Sequence, residues 1–155
     1  MIVTVYNTQK DLPISIANVK LMVPFLLRTL EIETDEVIIH FVNQKAIGEI
    51  HADFFSDPSP TDCISFPIDP PKKRNGDTKH QILGEVFVCP KIALEYAKSE
   101  NLDPYKEATL YLIHGILHLI GYDDIAPSAR RKMRQMEQKC LKICEPFPLS
   151  KKRLS

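Results

Sequence analysis

Apolar residues recur along the chain with two different periods, and the switching between these periods predicts the elements of the fold. Runs of β-branched and aromatic residues predict strands at 2–6, 37–42, 63–67 and 82–89. Apolar stripes at three- to four-residue spacing predict helices over 13–30, about 46–54, from Pro90, over 103–121 and from about Pro127. The order indicates a single α+β domain over residues 1–155, with about four strands and four to five helices.

The helix predicted over 103–121 has the clearest boundaries. Asp103 is suited to cap its N-terminus, and Pro104 suits the first helical position. At the other end stands Gly121, a residue that tolerates the left-handed conformation in which many helices end.

Composition and charge narrow the class of protein. A chain of 155 residues with 44% hydrophobic residues is long enough to bury one core. The formal net charge is zero, but residues 126–155 carry nine Lys or Arg against two Glu, a net of +7. A basic helix and tail over about 127–155 suits contact with a polyanion; the alternative is that much of it is the solvated face of a helix.

The N-terminal sequence, the absence of a long apolar stretch and the cysteines indicate the expected cellular location. MIVTVYNTQK lacks the basic and apolar regions of a signal peptide, and no stretch is long and apolar enough to span a membrane. Four cysteines without a secretory signal predict free thiols and a cytoplasmic protein. Cys140 and Cys144, one helical turn apart, are interpreted as core residues rather than half of a metal site.

The stretch HGILHLIGYDD, residues 114–124, carries the candidate chemistry. His114 and His118 are four apart, so a helix places both imidazoles on one face, where they can bind one metal ion. A turn at Gly121 would bring residues 122–124 back over this face. The third-ligand position of the spacing H-x-x-x-H-x-x-G-x-x-ligand is then Asp124, whose carboxylate is an acceptable zinc ligand.

Two other interpretations of this stretch have to be weighed. The pair could be hydrogen-bonded core histidines, although two unpaired buried rings would cost about 1–3 kcal/mol each. The site could also belong to a metallopeptidase. Proteases with the H-E-x-x-H pattern need Glu after the first histidine, and Gly115 at that position cannot transfer a proton.

Residues 114–124 resemble the signature of the YbeY family of bacterial rRNA maturation factors, H-G-x-L-H-L-x-G-Y-D-H, with Asp124 replacing the last His. PTDCISFP at 60–67 and LGEVFVCP at 83–90 resemble two further family segments in the same order and spacing. The resemblance implies a mixed sheet with the metal helix beneath it, one zinc or other divalent transition-metal ion on His114, His118 and Asp124, and a single-strand-specific endoribonuclease. It implies action in 16S rRNA 3′-end maturation and ribosome quality control, with rRNA and the small ribosomal subunit as partners.

Departures from the family pattern raise an alternative, a ribosome-associated factor of the same fold with weakened or no nuclease activity. Members usually carry an arginine about five residues before P-T-D, but that count reaches Phe55, and residues 49–59 hold no Arg or Lys. His51 is the nearby candidate cation, and Arg130 or Arg131 could substitute in space. Glu85 and Asp62 are interpreted either as partners that orient the imidazoles or as ordinary carboxylates at strand ends.

Overall fold

The computed structural model describes residues 1–57, 61–73 and 79–151. Its elements, in chain order, are β1 (Ile2–Asn7), α1 (Ile16–Thr29), β2 (Glu36–Phe41), α2 (Gln44–Phe55), β3 (Cys63–Pro67), β4 (Ile82–Val88), α3 (Pro90–Glu100), α4 (Pro104–Leu119) and α5 (Pro127–Cys144). Each predicted strand and helix is present. Parts of the predicted loop before β4 (74–78), of the segment after α2 (58–60) and of the basic tail (152–155) lie outside the described residues.

The strands form one mixed sheet in the order β1-β2-β4-β3. β1, β2 and β4 are parallel, whereas β3 runs antiparallel to β4. The fold class predicted from the sequence, an α+β domain with a mixed four-stranded sheet, is confirmed. The antiparallel pair places β3 at the edge of the sheet, beside the helix that carries the two histidines.

The main core lies between one face of the sheet and the helices α1, α4 and α5. Alternate residues of the central strands are fully buried there, among them Val37, Ile39 and Val86. The four predicted free thiols are confirmed, and Cys140 and Cys144 are buried in this core as expected. In the part of the chain that the structure describes, no helix is long and apolar enough to cross a bilayer.

Helix α4 begins as its sequence predicts. The Asp103 side chain accepts a hydrogen bond from the backbone N–H of Tyr105 at 2.9 Å, and Pro104 opens the first turn. One face of the helix is fully buried through Leu112, Ile113 and Ile116. Because this face packs in the core, the orientation of the helix is fixed, and so is the direction in which its polar side chains project.

Gly115 allows α4 to approach the sheet closely. A Cβ atom at residue 115 would lie 2.5 Å from Cγ1 of Val86 on β4. Position 115 therefore faces the sheet, so a larger side chain there would collide with β4. This packing explains why glycine follows the first histidine.

We expect Gly115→Ala to lower the free energy of unfolding by about 1–3 kcal/mol, because Val86 is β-branched, fully buried and unable to move aside. Urea unfolding of Gly115→Ala, Val86→Ala and the double variant measures this. Val86→Ala removes the two atoms nearest to the added methyl, Cγ1 and Cγ2 of Val86, and leaves the Cβ of residue 86 at 3.5 Å. The double variant should therefore be more stable than the sum of the single effects, and strict additivity would contradict this explanation.

Candidate metal centre

His114 and His118 stand on the same exposed edge of α4. Their ring centroids are 4.6 Å apart, the rings are nearly perpendicular, and their Nε2 atoms are 3.0 Å apart. The side chains are only 26% and 28% exposed. The helix thus presents two nitrogen atoms to one point at the protein surface.

The end of α4 turns the chain back over the histidines through a Schellman motif. The N–H of Tyr122 donates to the carbonyl of Leu117 at 3.0 Å, and the N–H of Gly121 donates to that of His118 at 3.2 Å. Gly121 has φ +106°, a conformation that side-chain-bearing residues rarely adopt. The predicted role of Gly121 as the turning residue is therefore confirmed.

Asp124, which follows this turn, lies beside both imidazoles. Its Oδ2 atom lies 3.4 Å from His114 Nε2 and 3.7 Å from His118 Nε2. The three potential ligand atoms lie within 4.8 Å of one another. Ligands of a tetrahedral zinc ion at 2.0–2.1 Å are separated by about 3.3 Å, so the three spacings suit a single ion.

The outer nitrogens of the two rings are both held by hydrogen bonds. Nδ1 of His118 donates to the carbonyl oxygen of Tyr122 at 2.9 Å, and Nδ1 of His114 donates to Oε1 of Glu137 at 2.9 Å. A carbonyl or carboxylate oxygen only accepts, so in neutral rings the lone pairs lie on the two Nε2 atoms. Two lone pairs facing each other at 3.0 Å favour a cation between or beside them, either a proton or a metal ion.

The electrostatics around His114 agree with a site for a cation. The hydrogen bond that His114 donates to Glu137 raises the pKa of His114 above its ordinary value, and this effect exceeds the opposing effect of burial. The negative charges of Asp124 and Asp62 act in the same direction. The neighbouring thiol of Cys63 has its pKa raised far above its ordinary value, mainly by burial, so it remains protonated.

Glu137 was not identified as a site residue from the sequence. It lies on α5, and its side chain is only 13% exposed. A signal was present: Glu137 falls four residues after Met133 and three before Cys140, both buried, so it shares the apolar side of an otherwise basic helix. A carboxylate on that side must find a partner in the protein, and the partner is His114.

Of the two interpretations left open for Glu85, the structure fits the ordinary strand carboxylate, because Glu85 does not lie beside the imidazoles. Glu85 lies on β4 between Gly84 and Val86, which both face α4, so its own side chain is on the opposite face of the sheet. There its Oε1 lies 3.1 Å from Nε2 of His40. The orienting carboxylate comes instead from α5.

A cavity of about 500 Å³ opens over the candidate ligands, between α2, β3 and α4. The described residues that line it are His51, Phe55, Thr61, Asp62, Cys63, Ile64, Ser65, Pro67, His114, His118 and Asp124. The structure therefore brings Asp62 and His51 to the site. It leaves Arg130 and Arg131 exposed in the first turns of α5, outside that lining.

Taken together, the fold and the site define a small α+β protein with a helix-borne His-His-Asp group that could hold a metal ion at the floor of an open cavity. Comparison with known proteins identifies the family to which this class of protein belongs. The family model described as "Endoribonuclease YbeY" matches residues 4–145. The chain belongs to the YbeY family of endoribonucleases, which are hydrolases acting on RNA, and the metallopeptidase interpretation is excluded.

Individual relatives are similar in sequence to this chain over most of its length. The endoribonuclease YbeY of Protochlamydia amoebophila is 45% identical over 137 residues, covering 88% of this chain and 89% of the relative. That of Chlamydia felis is 43% identical over 143 residues, covering 90% and 88%. The solution structure of TM1509 from Thermotoga maritima matches with a TM-score of 0.64 and 25% identity, covering 92% of this chain and 89% of that one.

We expect Glu137→Ala to weaken metal binding by about 10- to 100-fold, because the His114 ring loses the carboxylate that fixes its orientation and its tautomer. Glu137→Gln, which keeps an acceptor oxygen but not the charge, should fall between wild type and Glu137→Ala. Titration calorimetry with zinc measures both, with Gln138→Ala, an exposed neighbour on the same helix, as control. Equal affinities in all four proteins would contradict the orienting role.

Proposed function

We propose that this protein is a zinc-dependent endoribonuclease that cuts single-stranded RNA in 16S rRNA 3′-end maturation and in late ribosome quality control. The family assignment supports a nuclease role in rRNA processing. The observation that carries the proposal is the convergence of two imidazole lone pairs and one carboxylate oxygen, with both outer ring nitrogens already engaged as donors. A cytoplasmic location fits such a substrate.

The donor set suits a borderline-soft divalent ion such as zinc. His114 and His118 would supply nitrogen and Asp124 would supply oxygen to such an ion, which would lie at the floor of the cavity. When bound, the ion supplies a Lewis acid for a phosphodiester group.

The residues of the chain have distinct tasks in this mechanism. Glu137 and the Tyr122 carbonyl keep the two Nε2 lone pairs aimed at one point, so that no reorganisation is needed during reaction. The Schellman turn fixes the approach of Asp124. Asp62, on the wall of the same cavity, adds negative charge near His114 and so favours a cation at the site.

The basic helix α5 is the proposed contact with rRNA or the small subunit. Arg130, Arg131, Lys132, Arg134 and Lys139 are all exposed along it. Lysine and arginine side chains bind RNA by neutralising phosphates, a contribution that weakens as salt rises.

The alternative function, a ribosome-associated factor with a weakened site, is favoured by one observation. No Lys or Arg occurs among the described residues lining the cavity, so a phosphate entering it would meet two carboxylates and no permanent cation other than a bound metal. Activity measurements distinguish the two functions.

Replacement of either histidine by alanine should abolish stoichiometric zinc, lowering its affinity by more than about 100-fold, since a direct ligand matters more than its orienting partner. Cleavage of a single-stranded rRNA fragment should be lost in parallel. His40→Ala is the matched control, because that imidazole lies on the opposite face of the sheet beside Glu85. Zinc content unchanged in both His114→Ala and His118→Ala would refute the site.

Variants of Asp124 decide between a working and a degraded site. We expect Asp124→Ala to lose zinc affinity and cleavage together, while Asp124→His retains zinc without raising kcat/KM, because a carboxylate already completes the ligand set. Metal titration and cleavage kinetics test this. A strong rise in kcat/KM in Asp124→His would instead support the weakened-site alternative.

A further inference from the structure

Two large aromatic side chains stand exposed at the C-terminal end of α2. Phe54 is 67% and Phe55 is 55% exposed. Phe55 lines the cavity over the candidate metal ligands, and Phe54 is its neighbour in the chain. Exposed apolar groups grouped beside a functional cavity generally mark a contact surface.

Both rings are supported on one side by another ring. The ring centroid of Phe55 lies 5.3 Å from that of His51, one helical turn earlier, at an interplanar angle of 47°. The ring of Phe54 packs against Phe66 of β3, with centroids 4.9 Å apart. Each ring is therefore held in place by the protein while more than half of its side chain stays open to solvent.

The backbone fixes the end of the helix that carries them. Ser56 has φ +54°, in the left-handed region, and its N–H donates to the carbonyl of Ala52 at 3.0 Å. This cap stops α2 directly after Phe55. Phe55 thus sits on the last turn of α2 at the mouth of the cavity. Phe54, packed on Phe66, lies toward the other face of the sheet, because Phe66 pairs with Glu85.

The charges of the cavity indicate which part of an RNA the rings would contact. Asp62 and Asp124 are carboxylates, and among the described lining residues there is no lysine or arginine. Phosphates beside the cleavage point therefore gain little binding energy from the side chains of the cavity. Unpaired bases can still bind there by stacking on an aromatic ring, since stacking needs no charge and tolerates any sequence.

We propose that Phe55 forms a base-stacking subsite for an unpaired nucleotide beside the scissile phosphodiester. The proposal rests on the proposed function, because the ligand is the RNA substrate of the adjoining metal centre. It assigns the preference for single strands to a stacking contact at the end of α2, since bases held in a duplex cannot reach this ring.

The test measures binding of the zinc-loaded protein to a short single-stranded RNA with a phosphorothioate backbone, which resists hydrolysis, by fluorescence anisotropy. Phe55→Ala should weaken binding by about 5- to 100-fold, the usual range for one stacked base. Phe54→Ala, which alters the exposed neighbour packed on Phe66, should have little effect. Phe55→Leu, apolar but not aromatic, should lose most of the affinity, whereas Phe55→Trp should keep it. Tyr96→Ala removes a similarly exposed aromatic group from α3 and should have no effect.

A second RNA with one abasic residue separates stacking from general packing. Scanned along the strand, the abasic residue should weaken binding to wild type at one position, and at that position it should cost nothing further in the Phe55→Ala variant. An affinity of Phe55→Ala equal to that of Tyr96→Ala, or equal losses for duplex and single-stranded RNA, would overturn the proposal.

Cleavage of ordinary RNA by the wild-type protein tells the two failures apart. If wild type cuts RNA and the Phe55→Ala variant binds RNA normally, only the subsite is wrong. If wild type neither cuts nor binds RNA, both the subsite and the proposed function fail.

Discussion

The close packing of α4 against β4 is the constraint on which the rest of the structure depends. With Gly115 against Val86, and with Leu119 beside Gly84, the helix lies nearer to the sheet than larger side chains would permit. That proximity buries the apolar side of α4 completely and leaves His114 and His118 on its remaining edge. The position of the imidazoles is therefore set by a contact on the other side of the helix, made by residues without any chemistry of their own.

From this fixed helix the site is completed by two independent segments. The turn at Gly121 delivers the Tyr122 carbonyl and the Asp124 carboxylate, and α5 delivers Glu137. The electrostatic result is a concentration of acceptor atoms around a small volume. Such an arrangement is unfavourable without a cation, and a cation is what the chemistry of the family requires.

Much of this could be predicted from the sequence because it is local. Helix limits follow from Asp103, Pro104 and Gly121, and the grouping of residues 114, 118 and 124 follows from helical spacing plus one turn. Their role as ligands remains a prediction, as do those of Asp62, Arg130 and Arg131. Glu137 was missed because its partner lies 23 residues away across a helix–helix contact that no spacing rule encodes.

The two interpretations of Glu85 stayed open for a different reason. Strand periodicity separates Glu85 from Val86 onto opposite faces, but the motif that contains Glu85 suggested proximity to the site. The buried glycine and valine on either side were the better guide, because a helix packs against the apolar face of a strand. The cavity and its aromatic rim likewise depend on how α2 crosses the edge of the sheet, which the sequence does not specify.

The hydrogen bond between His114 and Glu137 also has a consequence for the mechanics of the fold. A metal ion bound by His114 would tie together α4, the turn after it and α5, three segments that otherwise associate mainly through apolar packing. Metal binding would then raise the free energy needed to unfold α5 locally, since a ligand that binds the native state stabilises the segments that must stay folded to form its site. A metal ion held by α4 would in this way also order the basic surface of α5, and amide exchange in α5 would then report on metal occupancy.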